Sequence, residues 1–104
     1  MKYLITAAPG QQMVPPKMGA ALMTAAKGWL EAKIADGSFD SVHLFFGGGG
    51  FAIGNSDSHE QMLEDMLEYP LYPFFDWEIK PLLELNESME KYARFYEKLA
   101  SMMD

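Results

Sequence analysis

A chain of 104 residues makes one domain, expected to span 1–104, and with no cysteine it has no disulfide, thiolate metal site or cysteine nucleophile. Fifteen acidic against eight basic side chains give a formal net charge of -7, which repels phosphate and argues against nucleic acid and anionic membrane surfaces as main partners. No apolar run reaches the roughly 20 residues that a membrane span needs, and cysteine-free composition fits a cytoplasmic protein.

Residues 2–8 read as a strand apolar on both faces and ended by Pro9-Gly10. Pro15-Pro16 leads in a helix from Lys17 to Asp36, since proline's missing N–H is not needed in a first turn. Its apolar face is Leu22, Ala26, Trp29, Leu30 and Ile34, and Gly37 is placed to stop it. Phe39–Phe46 and Phe51–Ser56 are the next strands, joined through Gly47 to Gly50 as a hairpin with bulged or sharply curved strands. Asp57 with Glu60 forms a capping-box-like helix start, and Met62, Leu63, Met66 and Leu67 line one face before Pro70 closes the segment. Phe74–Leu83 is the last strand, with Pro81 marking an edge. A final helix over 87–103 carries Met89, Tyr92, Ala93, Tyr96, Leu99 and Met103 as its packing stripe.

The order is β-α-β-β-α-β over 2–83 plus a terminal helix, an α+β, ferredoxin-like pattern with both helices on one face of a four-stranded antiparallel sheet. The apolar load, 49% of residues, predicts that the open sheet face is covered by a second copy, giving a homodimer or larger homo-oligomer with a cavity at the joined sheets.

The glycine run lacks the Lys-Ser/Thr ending and following helix of a phosphate loop, and the two histidines have no metal-ligand spacing; no cofactor and no metal are expected. Alternation along the strands sorts the titratable groups. Phe39, Ser41, His43 and Phe45 are expected on one face of the second strand, and Asp76 and Glu78 on the open face of the last. His43 is of the residue type that shuttles protons near neutral pH, and a histidine hydrogen-bonded at an interface is the plainer reading. Asp76 can act as base, orient His43, or make a salt bridge between subunits; Glu78 faces the same way. Lys27 can hold a carboxylate or enolate, or be an exposed helix lysine. Tyr72, with Tyr69 in the rigid turn around Pro70 and Pro73, can donate to a substrate oxygen or only pack the turn.

The stretch Glu68-Tyr69-Pro70-Leu71-Tyr72-Pro73-Phe74-Phe75-Asp76-Trp77-Glu78-Ile79 resembles the muconolactone isomerase family, in which the second helix ends in a similar proline-aromatic turn. Gly37-Ser38-Phe39 is similar to the family's step out of its first helix, and Lys27 falls at its first-helix lysine. The resemblance implies a dimeric α+β barrel and a cofactor-free isomerase that moves a proton on a small lactone or other apolar, aromatic-derived molecule. Polyketide cyclases and cofactor-free monooxygenases share this barrel. A non-catalytic ligand-binding or assembly protein is the remaining alternative.

Overall fold

The structure, a computed structural model, describes residues 1–103. Its elements are β1 (Lys2–Pro9), α1 (Pro16–Ala35), β2 (Phe39–Leu44), β3 (Gly50–Asn55), α2 (His59–Leu67), a short 3-10 turn (Tyr72–Phe74), β4 (Phe75–Leu82) and α3 (Leu85–Met103). The predicted α+β order, with its extra C-terminal helix, is the one observed. One antiparallel sheet holds the strands in the order β2-β3-β1-β4, so β1 is central and β4 is an edge that tolerates Pro81.

Strand register fixes what each face carries. Tyr3, Ile5 and Ala7 of β1 stand level with Gly54, Ala52 and Gly50 of β3 on one side and with Pro81, Ile79 and Trp77 of β4 on the other. This is the helix-covered face. Its core joins Tyr3, Ile5, Phe39 and Ala52 to Met62 and Met66 of α2, with Trp29 and Leu30 of α1 packed against it. A near-buried Lys33–Asp65 pair at 3.8 Å ties α1 to α2, and the Lys33 ammonium sits 5.3 Å from the centre of the Trp29 ring.

Three local expectations are corrected. The hairpin glycines do not carry the bulge; the register shift lies between Phe39 and Ser41. The bulge turns Phe39 onto the same face as Val42 and Leu44, not onto that of His43, because an extra residue reverses the pleat. The α2 cap is Ser58, whose backbone is extended and whose hydroxyl accepts from the Gln61 N–H at 3.1 Å; Asp57 lies one residue too early. At the start of α3, Glu84 accepts from the N–H groups of Asn86 and Glu87 and so serves as its cap.

The open face is also less apolar than expected. Leu4, Phe51 and Ile53 form a half-buried strip, but Thr6, Ser41, His43, Asp76, Glu78 and Lys80 share that face. Lys2, Asp40 and Asn55 form a hydrogen-bonded cluster at one corner of the sheet.

Candidate functional site

A cavity of about 570 Å³ lies between the helices and the sheet, on the face opposite the one predicted. It exists because both layers are thin where they meet. α1 presents the buried Ala26, while the strands present Ala7, Gly50 and Ala52. Large aromatic residues stand around that gap and brace one another instead of filling it. Trp29 meets Phe39 edge-on at 5.6 Å and Tyr69 at 5.1 Å, and Tyr69 meets Trp77 edge-on at 5.7 Å. Phase and size both matter: this end of the sheet offers small side chains at the positions where α1 would otherwise pack.

The β2–β3 hairpin forms one end of the cavity through Gly48, Gly49 and Gly50. Gly49 has φ +76°, and a Cβ there would lie 2.1 Å from the Ala7 carbonyl oxygen, so only glycine brings the turn this close to β1.

Polar groups at the cavity are few. Lys27 and Glu31, one helix turn apart on α1, form a 3.6 Å ion pair with most of both side chains exposed. Tyr69 lines the wall, and burial pushes its hydroxyl pKa above the ordinary value, which keeps it a protonated donor at neutral pH. The Trp77 indole N–H is occupied, donating to the Tyr72 carbonyl at 2.9 Å. The Trp29 indole N–H is buried in the wall with no hydrogen-bond partner.

Of the residues expected from the sequence, Lys27 lines the cavity. His43 borders it on β2, yet its ring stacks on Phe51 at 5.1 Å on the other face of the sheet. Asp76 and Glu78 do lie on the open face as predicted, which places them away from the cavity lining. His43, Phe51, Thr6 and Glu78 form one cross-strand row, so His43 and Glu78 are separated by three strand spacings, about 14 Å, and one protomer does not bring them together. Glu78 instead pairs with Lys80 at 2.9 Å. Tyr72 lies outside the lining, its ring stacked on Trp77 at 5.6 Å.

Trp29, Glu31 and Trp77 were not singled out as site residues. The signal was present: an aromatic cluster on the helix-packed side of α1 and β4 opposite alanines and glycine at neighbouring strand positions. Among the described residues, no group of three or more metal-ligating side chains lies together, and no helix is long and apolar enough to cross a membrane.

The family described as Domain of unknown function (DUF3303) matches residues 1–96. Comparison with curated proteins gives no match. In structure the chain is similar to muconolactone isomerase, with a TM-score of 0.73 at 16% identity over 83% of this chain and 92% of that one. It is also similar to the 5-chloro-2-hydroxyhydroquinone dehydrochlorinase of Burkholderia phenoliruptrix AC1100, solved with 2,5-dihydroxybenzoquinone. That match has a TM-score of 0.63 at 15% identity and covers 81% and 95% of the two chains. At such identities the likeness is one of fold. The resemblance carried by residues 68–79 therefore stands as a distant structural relationship.

Proposed function

The chain belongs to the DUF3303 family, whose description carries no activity, and from its fold and cavity we propose that it is a cofactor-free isomerase-type enzyme acting on a small, planar, oxygenated molecule. The observation that carries this reading is the aromatic cavity with one acid and one base at its edge. Stacked and edge-on rings suit a flat conjugated ligand, and the volume suits a molecule of one or two rings. The two fold neighbours named above act on, or were solved with, such oxygenated rings, which supports the substrate class without fixing it.

In this reading Glu31 takes a proton from the carbon beside a carbonyl, and the Lys27 ammonium holds the oxygen on which charge develops. Tyr69 donates a second hydrogen bond to the ligand. Return of the proton to a different carbon moves the double bond, with no net oxidation. His43, Asp76 and Glu78 stay on the far face and take no part, and Tyr72 acts only by stacking on Trp77.

Deuterium incorporation, followed by NMR in D2O with an unsaturated lactone or a hydroxyquinone, tests the proposal. The wild type is expected to exchange the proton beside the carbonyl. Glu31→Gln is expected to lose about a hundredfold or more in exchange rate, the low end of the range for a lost acid–base group, while His43→Ala keeps it.

A second reading, a ligand-binding protein without turnover, is favoured by one feature. The Lys27–Glu31 pair is exposed and already neutralised by itself, so the cavity wall proper is almost wholly aromatic and aliphatic. Binding without deuterium exchange in any variant decides for it.

A further inference from the structure

α3 leaves the domain and packs on nothing in its own chain along most of its length. The molecule extends 68 × 30 × 25 Å with a radius of gyration of 18.4 Å, against about 13 Å for a compact chain of this size. Leu85 is 71% exposed, Tyr96 63% and Met103 80%. A helix of this length in water is marginal unless its apolar face is covered.

Spacing along α3 says what covers it. Leu85, Met89, Tyr92, Tyr96, Leu99 and Met103 are separated by alternating steps of four and three residues, the seam of a coiled coil. Phe95 and Met102 widen one flank of that seam, whereas Ala93 and Ala100 line the other and permit close approach. The charged residues Glu87, Glu90, Lys91, Arg94, Glu97 and Lys98 all fall on the side away from it. The seam is symmetric about Arg94: Leu85 is as far before that residue as Met103 is after it. Met89 and Leu99 match in the same way, as do Tyr92 and Tyr96. An antiparallel partner with the same sequence thus meets every seam residue with another, and a two-fold interface requires such self-complementarity. The exposed side chains present on the order of 1,000 Å² per helix, so two copies reach the roughly 1,600 Å² of a standard interface.

We propose that α3 pairs antiparallel with α3 of a second copy of this chain, with Met89 against Leu99, Tyr92 against Tyr96 and Leu85 against Met103. This contact is separate from the cavity and from the open sheet face, and it does not depend on the proposed activity.

The chain has no cysteine, so each introduced thiol is unique. Full-length Met89→Cys and Leu99→Cys proteins are mixed and treated with a short bis-maleimide. A covalent mixed dimer is expected, with little product from either variant alone. In the antiparallel register two copies of position 89 stand about 15 Å apart along the axis. Sedimentation supplies a second readout: the wild type is expected to run as a dimer or larger, Tyr96→Glu to lose that association, and Arg94→Glu to keep it. Cross-linking of each variant with itself but not in the mixture indicates a parallel pair and overturns the proposal. A wild type that sediments as a monomer overturns it too, as does association that survives Tyr96→Glu.

Discussion

Gly49 shows how one backbone position shapes the site. Its left-handed φ and the approach to the Ala7 carbonyl leave no room for a side chain. Gly49→Ala is expected to destabilise the domain by about 1–3 kcal/mol, more than a surface substitution, read as a lower denaturation midpoint. The neighbouring strand explains a pH effect. Hydrogen bonds from Lys2 and Asn55 hold the Asp40 carboxyl below the ordinary carboxylate range. With the folded value depressed, its contribution is present above the unfolded value near about 3.9 and is lost as pH falls through the lower folded one. Stability should therefore drop on acidification over that window, and Asp40→Asn should flatten the drop in urea titrations at stepped pH. Residue type made the candidates His43, Asp76, Glu78, Lys27 and Tyr72 legible in the sequence. Their separation was not, because strand order decides that His43 and Glu78 lie at opposite sides of the sheet.

Element boundaries follow local chemistry closely. Ser58 shows the rule: Asp57-x-x-Glu60 and Ser58-x-x-Gln61 are overlapping cap signals, and the chain uses the second. Ser58→Ala is expected to cost about 1 kcal/mol, within the usual range for an N-cap, whereas Asp57→Ala should cost much less; paired thermal melts distinguish them. The same scale holds the main misreading. A bulge of one residue at Asp40 reverses the pleat, so strict alternation put Phe39 on the same face as His43, from which the bulge separates it, while placing Asp76 and Glu78 correctly on the open face. Hydrophobic periodicity sufficed for the β-α-β-β-α-β order, and proline's missing N–H for the edge position of Pro81, since each is a local property. Tyr3 illustrates what was missed. Its buried hydroxyl lies 2.6 Å from His59 Nδ1, linking β1 to the first turn of α2, a contact that only the folded topology creates.

At the scale of the whole molecule, a partly open aromatic cavity lies between two layers and an amphipathic helix projects beyond them. The sequence's apolar excess was legible as surplus, but its location was not. Much of it lies on α3 and around the cavity, while the open sheet face carries charge among its apolar side chains. The interlayer space arises where Ala7, Ala26, Gly50 and Ala52 oppose one another, an adjacency across sequence distance that periodicity does not encode. Methyl NMR of methionine-labelled protein tests the central claim, that this space takes a flat oxygenated ligand. Met23 and Met66 line the cavity, whereas Met89 and Met103 stand on α3. On titration with 2,5-dihydroxybenzoquinone, saturable shifts at Met23 and Met66 with Met89 and Met103 unmoved are the predicted result; shifts confined to α3, or none at saturating ligand, would contradict it.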